Sequence, residues 1–124
     1  MKAVLPGMKN HKHGTIINIS SVAGFNAYLD HAAYCGSKFA VHGMTETVRK
    51  EVAPFNVRVC LISPGVVSTH LLESGASDAA SIERYRKFIK EDCGGNILKP
   101  EDVAQSILYA FKAPENGKYN YSIF

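Results

Sequence analysis

The chain lacks several features that would place a protein in a class at once. Its 124 residues contain no tryptophan and three cysteines, Cys35, Cys60 and Cys93, whose spacing matches no zinc-binding pattern. An odd number of widely spaced cysteines indicates a reducing compartment, so we expect a cytoplasmic protein. No apolar run is long enough to cross a membrane, and residues 1–7 lack the apolar core of a secretion signal. We therefore expect no membrane partner.

Charge and histidine content exclude further functions. The formal net charge is +3, and residues 1–13 carry lysines and histidines without any acid. A basic segment can contact nucleic acid, but no motif supports such contact, so we interpret it as a solvated loop without a nucleic-acid partner. His31 and His42 lie at no metal-ligand or catalytic-triad spacing, and we expect no metal. The sequence has no Gly-x-Ser-x-Gly elbow, which excludes that type of serine hydrolase.

The hydrophobic pattern predicts one α/β domain over residues 1–124. The apolar run Thr15–Ser20, without polar alternation, is typical of a strand buried on both faces of a parallel sheet. A helical pattern extends from about His31 to Ala53, where Pro54 ends it, and a second buried strand follows at Val57–Ile62. A strand, a helix and a strand in this order form a right-handed βαβ unit.

The last part of the chain is less regular. A helix begins at Pro100, and residues 119–124 alternate well enough to predict a short third strand. Between these parts, residues 68–97 contain an amphipathic stripe and end in glycines, which predicts a lid over a substrate, or else a surface helix with a packing face only. Two apolar stripes are expected to face the core: Ala40, Val41, Met44, Val48 and Val52 on the long helix, and Val103, Ala104, Ile107, Leu108 and Phe111 on the last one.

Tyr34 and Lys38 form the first pair of residues with catalytic potential. Side chains four residues apart lie on the same face of a helix, so both can point into one site. A nearby cation favours the charged form of a phenol, and such a tyrosine can exchange a proton with an alcohol or a carbonyl near neutral pH. In a chain with six tyrosines one such pair can arise by chance, so other motifs must support the prediction of a site.

Two motifs at the ends of predicted strands support it. Three motifs follow one another along the chain: a strand that ends in Ser20-Ser21, Tyr-xxx-Lys at 34–38, and a strand that ends in Pro64-Gly65 with Thr69 beyond it. In this order and spacing they resemble the short-chain dehydrogenase/reductase family. The resemblance extends from about residue 5 to residue 111. Ligands of such sheets bind beyond the carboxyl ends of the strands, which is where both strand-end motifs lie.

The resemblance implies a role for each motif residue. Tyr34 would be the general acid and base, and Lys38 would favour its charged form and bind the nicotinamide ribose. The family's serine lies 13 residues before the tyrosine, which selects Ser21 to orient the substrate oxygen; Ser20 is interpreted as forming the turn at the strand end. The residues implied at the nicotinamide are Tyr34, Lys38, Pro64, Gly65, Val67 and Thr69.

The sequence also departs from the family pattern. It contains no glycine-rich turn after a first strand, no Asn-Ala-Gly motif and no asparagine at the expected place upstream of Ser21. We therefore expect a partial Rossmann-like, doubly wound parallel sheet with about the last three strands and their flanking helices. Such a chain would hold only the nicotinamide end of NAD or NADP, and the residue that distinguishes the two would lie in the absent half.

Two functions follow from these features. The first is an NAD(P)-dependent oxidoreductase that acts on a small carbonyl compound or secondary alcohol. The alternative is a catalytically inactive, truncated fragment that serves as a binding or assembly module. An unpaired apolar edge at Thr15–Ser20 would invite association, and the helix that carries Tyr34 forms dimers in the family. We therefore expect a homo-oligomer or pairing with a full-length relative.

Overall fold

A computed structural model describes residues 1–70, 78–91 and 94–114, together with the backbone of residues 120–123. The elements in chain order are α1 (Leu5–His11), β1 (Gly14–Ile19), a 3-10 turn (Val22–Gly24), α2 (Ala32–Val52), a second 3-10 turn (Ala53–Phe55), β2 (Val57–Pro64), α3 (Ala79–Glu91), α4 (Pro100–Lys112) and β3 (Asn120–Ile123). The strands form one parallel sheet in the order β1-β2-β3. Parts of the predicted insertion, 71–77 and 92–93, and the ends of the predicted third strand lie outside the described residues.

The two long strands differ in burial. Every residue of β2 is buried except Arg58, which is half-buried, because β2 lies between β1 and β3. The residues of β1 are half-buried, and Ile19 at its end is 40% exposed. The prediction that Thr15–Ser20 is buried on both faces is therefore wrong for this strand. Within the part of the chain that the structure describes, β1 pairs with a strand on one side only, so its apolar residues are less covered than those of a central strand.

Successive side chains of β2 point to opposite faces of the sheet. Val57 and Val59 form the apolar core with Val52 of α2, and the half-buried residues packed against it are Leu5, Met8, Ile16 and Val48. Arg58 points to the other face, where its guanidinium donates to the carbonyl groups of Phe111 and Ala113 at the end of α4. Helices α1 and α2 thus cover one face and α4 the other. The prediction of a doubly wound α/β architecture is confirmed.

The inner face of α2 is more polar than the predicted stripe. Its buried residues are Cys35, Thr45 and Val52, whereas Ala40 is exposed and Met44 is 52% exposed. Thr45 donates to the Val41 carbonyl and accepts from the Asn18 side-chain amide at 2.8 Å. The predicted stripe is wrong at Ala40 and Met44 because the face of α2 that packs on the sheet follows Val41, Thr45, Val48 and Val52, and residues 40 and 44 lie one position to the side of it.

Helix α4 contacts the sheet along a narrow line. Ala110 is fully buried, and Val103 and Ile107 are half-buried. Ala104, Leu108 and Phe111, which were expected to face inward, are exposed. The residues that face the sheet recur at helical spacing along one line, and Ala104, Leu108 and Phe111 lie to one side of that line, beyond the cover of the sheet. None of the helices in the described ranges is both long and apolar enough to cross a membrane.

Candidate active site

Ser21 lies where β1 turns away from the sheet. The amide of Ser20 donates to the Ile62 carbonyl at 2.7 Å, so the pairing of β1 with β2 continues to the residue before it. Ser21 then caps the 3-10 turn, and its Oγ accepts the Ala23 amide at 3.1 Å. The residue is 7% exposed. A hydroxyl oxygen that accepts one hydrogen bond keeps its own proton, which it can donate to a ligand.

Tyr34 and Lys38 lie in the first turns of α2 and are both half-buried. The Nζ atom of Lys38 lies 5.6 Å from the centroid of the Tyr34 ring. The same Nζ lies 3.5 Å from the carbonyl oxygen of Ile19, the last residue of β1. The ammonium group is thus placed between the tyrosine ring and the strand end that leads into Ser21. The structure brings these three predicted residues to one edge of the sheet.

The second strand-end motif lies at the same edge. Ile19 and Ile62 are paired in the parallel register, which places the end of β1 beside the end of β2 at Pro64. Pro64 is buried, Gly65 and Val67 are half-buried, and Thr69 is exposed at the start of the insertion. The structure thus brings Pro64 and Gly65 to the edge that carries Ser21, whereas it does not bury Thr69 against them.

The base of the insertion is closed by backbone pairing. Val67 forms an isolated parallel bridge with Leu98. The Leu98 amide donates to the Val66 carbonyl, and the Ser68 amide donates to the Leu98 carbonyl, both at 2.8 Å. The chain that leaves β2 and the chain that returns to α4 are therefore tied together beside the candidate cofactor edge.

Helix α3 of the insertion contacts the loop that leads into α2. The Phe88 ring meets the Tyr28 ring edge to face, with centroids 5.7 Å apart. The Arg84 guanidinium donates to Oδ2 of Asp30 at 2.8 Å, and both side chains are more than half exposed. These contacts place α3 against the segment that ends four residues before Tyr34. The helical stripe predicted for the insertion is confirmed at Tyr85, Phe88 and Ile89, whereas Ile82 is 38% exposed.

Both histidines near the motif face backbone carbonyls. His31 Nδ1 lies 2.7 Å from the Leu29 carbonyl oxygen, and His42 Nδ1 lies 3.4 Å from that of Gly24. The His42 ring also meets the Phe25 ring edge-on at 4.4 Å. Among the residues that the structure describes, no group of three or more histidine, cysteine or acidic side chains could hold a metal ion.

Ser20 is the residue near the site whose contact the sequence did not reveal. The sequence predicts a local turn at Ser20, but the Ser20 hydroxyl donates to the carbonyl oxygen of Lys38 at 3.1 Å. The local turn bond is made instead by Ser21. A backbone carbonyl carries no sequence signal, and Lys38 is 18 residues away, so no local pattern could have indicated this bond.

Comparison with known proteins decides the family. A family model described as short chain dehydrogenase matches residues 1–80. The chain belongs to the short-chain dehydrogenase family. Among its relatives, an uncharacterized oxidoreductase of Staphylococcus saprophyticus is 40% identical over 120 residues, which cover 95% of this chain and 46% of that protein.

Solved structures give the same result. A 4-hydroxyisoleucine dehydrogenase complexed with NADH is 31% identical with a TM-score of 0.77, and the match covers 98% of this chain and 50% of that one. The closed form of a serine dehydrogenase complexed with NADP+ is 28% identical with a TM-score of 0.75, covering 98% and 47%. The chain therefore spans about half the length of these two dehydrogenases. The predicted family and Rossmann-type fold are confirmed, while the roles of the individual motif residues stay predictions.

Proposed function

We propose that this chain catalyses NAD(P)-dependent hydride transfer between a nicotinamide and a small carbonyl compound or secondary alcohol. The position of the Lys38 ammonium carries the proposal, since it lies between the Tyr34 ring and the end of β1 that leads to Ser21. An acid, a cation and a hydroxyl donor at one sheet edge are the groups that carbonyl reduction requires. The NADH and NADP+ in the two solved relatives support a nicotinamide cofactor without distinguishing between the two.

The residues at this edge fit the nicotinamide end of the cofactor. Pro64 is buried at the end of β2, and Gly65 beyond it has no Cβ, so the backbone there can lie close to a flat ring. Val67 and Thr69 follow on the same segment and would contact the carboxamide, while Lys38 would hold the ribose. A bound nicotinamide would supply the hydride, with its electron pair, in reduction and accept it in oxidation.

The chain's own residues would move the proton. In reduction, the substrate carbonyl carbon gains the hydride while Tyr34 Oη gives its proton to the carbonyl oxygen, which leaves a phenolate. The Lys38 ammonium stabilises that phenolate, and the Ser21 hydroxyl donates to the same substrate oxygen and fixes its position. In oxidation, the Tyr34 phenolate takes the proton from the alcohol.

Helix α3 would serve as the cover of this site. It contacts the loop before α2 through Phe88 and Arg84, and the Val67–Leu98 bridge anchors the base of the insertion beside Gly65. A helix fixed at its base and held elsewhere by one exposed ion pair and one half-buried ring contact can move without disturbing the sheet. We infer that it closes over bound substrate and excludes water from the proton transfer.

Calorimetric titration with NADH and NADPH, followed by an assay of carbonyl-dependent oxidation of the nucleotide, tests the proposal. Tyr34→Phe keeps the ring and removes the proton donor, so kcat should fall by about 10²- to 10⁴-fold. Tyr109→Phe, on the exposed side of α4, is the matched control and should keep its rate. Failure of both nucleotides to bind, or full activity in Tyr34→Phe, would contradict the proposal.

The alternative, a binding or assembly module, is supported by a different observation. On α2, Phe39 is 48% exposed, and a Cβ built at Gly36 or Gly43, on the same helix face, has no atom within 4 Å. Such a smooth, partly apolar helix face suits a second helix, which a second copy or a full-length relative would supply. Light scattering separates the two functions. Association without nucleotide binding would favour the module, whereas nucleotide binding and turnover would favour the enzyme.

A further inference from the structure

Ser20 connects the end of β1 to the helix that carries Tyr34 and Lys38. Its side chain is on the face of β1 that points to α2, and the residue is 4% exposed. Its hydroxyl donates to the carbonyl oxygen of Lys38 at 3.1 Å. The Lys38 ammonium reaches the neighbouring residue, Ile19, at its carbonyl oxygen. Both the backbone and the side chain of Lys38 are therefore held by the last two positions before Ser21.

Gly24 closes this contact from a third side. A Cβ added to Gly24 would lie 2.7 Å from Ser20 Oγ and 3.0 Å from the Lys38 carbonyl oxygen, so the position has no room for a side chain. Glycine is required at position 24 because any Cβ there would be too close to both atoms of the Ser20–Lys38 hydrogen bond. The turn that Ser21 caps is therefore packed directly on that hydrogen bond.

We propose that Ser20 is a positioning residue that sets the place of Lys38 relative to Ser21. Its effect on catalysis rests on the proposed function above. Ser20 is next to Ser21 in the chain, and its bond fixes the distance from this strand end to the backbone of Lys38. Without the hydroxyl, the first turns of α2 can shift relative to Ser21. A proton-transfer group displaced by a fraction of an ångström loses rate while the substrate still binds.

The test compares two hydroxyl deletions on folded protein. Ser20→Ala removes the bond between strand and helix. Thr47→Ala is the matched control, because the Thr47 hydroxyl donates to the Gly43 carbonyl at 2.9 Å inside the same helix. Lysine amines are labelled with 13C-methyl groups and observed by NMR, with the Lys38 signal assigned from Lys38→Arg. The kcat and KM of carbonyl reduction are measured on the unlabelled variants.

We expect the Lys38 signal alone to shift in Ser20→Ala, and kcat to fall about tenfold or more while KM changes little. Thr47→Ala should leave the signal and both constants as they are. Gly24→Ala, which presses on the same bond from the other side, should move the same signal and serves as the second variant. A Lys38 signal that stays in place in Ser20→Ala, or that shifts equally in Thr47→Ala, would overturn the proposal, whatever happens to kcat.

The same experiment separates this inference from the proposed function. The Lys38 signal is observed without turnover or nucleotide. Absence of any carbonyl reduction by the unmodified chain would therefore refute the proposed function, and the signal in Ser20→Ala would still decide whether Ser20 holds Lys38.

Discussion

Helices α2 and α3 both border the candidate site, but the fold holds them in different ways. Helix α2 has three buried residues, Cys35, Thr45 and Val52, and it is bonded to β1 through side chains. No residue of α3 is buried over Ala79–Glu91, and its contacts with the loop before α2 are an exposed ion pair and an aromatic pair. The helix that carries Tyr34, the proposed proton donor, is anchored in the core, whereas the helix beside it is held at the surface.

The difference matches what each element would have to do. Proton transfer requires groups fixed to within a fraction of an ångström, and a buried helix with directional hydrogen bonds provides that. A cover must open and close, and elements with few buried contacts are those that open at low free-energy cost. The contrast predicts that changes in α2 alter stability or kcat, while changes in α3 alter substrate binding.

Val52→Ala should have the largest effect on stability. The residue is fully buried in the core with Val57 and Val59, and deletion of two buried carbon atoms leaves a cavity. We expect a loss of about 2 kcal/mol in the free energy of unfolding, measured by urea denaturation. Ile82→Ala removes more atoms from α3, but Ile82 is 38% exposed. An equal loss of unfolding free energy in Ile82→Ala would show that α3 is anchored as firmly as α2.

Thr45→Val should have the next largest effect. The change keeps the shape of a fully buried side chain but removes the oxygen that accepts from Asn18 at 2.8 Å. The Asn18 amide is left without this partner, which should cost about 1 kcal/mol in the free energy of unfolding. Thr45→Ser keeps the hydroxyl and loses one methyl group, so it is the control for the bond. If Thr45→Val unfolds at the same urea concentration as the unmodified chain, the hydrogen bond does not anchor α2.

Arg84→Ala should leave stability almost unchanged and act on substrate binding. The Arg84–Asp30 pair is more than half exposed on both sides and is worth about 0–1 kcal/mol. If this pair holds α3 closed, its loss should raise KM by about fivefold at most. Lys87→Ala removes an ion pair with Glu91 inside the same helix and should leave KM as it is. A lower melting temperature with unchanged KM would assign the Arg84 pair to the scaffold.

The smallest expected effect is a loss of stability at the start of α3 when the pH is lowered. Asp78 accepts the Ser81 amide at 2.7 Å at the start of α3, and this hydrogen bond lowers the pKa of the Asp78 carboxyl. A lowered pKa means that the stabilising contribution is present above the ordinary carboxyl pKa of about 3.9 and is lost as the pH falls through the lowered value.

Hydrogen exchange of the Ser81 amide measures this response. We expect exchange at Ser81, corrected for intrinsic rates, to accelerate as the carboxylate is protonated, while amides near Val52 in α2 keep their protection. Asp78→Asn retains an acceptor without a titrating charge, and its exchange should no longer depend on pH in this range. Equal loss of protection in α2 would show that the two helices open together.

Short-range patterns in the sequence predicted a large part of the fold. The long helix, expected from about His31 to Ala53, extends over Ala32–Val52, and the strand expected at Val57–Ile62 extends over Val57–Pro64. Their order requires a parallel pair, and the parallel pair places both strand-end motifs at one edge. Errors arose where burial depends on neighbours. Met44 and Leu108 are apolar residues at helical spacing, but nothing in that spacing states how wide a sheet lies beneath them.

The sequence by itself determined the elements, their parallel arrangement and the shared face of Tyr34 and Lys38, because periodicity and spacing act over a few residues. Only the tertiary structure decided the contacts that hold these elements together. Ser20 meets the Lys38 carbonyl over 18 residues, Asn18 meets Thr45 over 27, and Arg84 meets Asp30 over 54. Each bond needs a donor and an acceptor that many residues could supply. Which pair forms is therefore fixed by the packing of the whole chain.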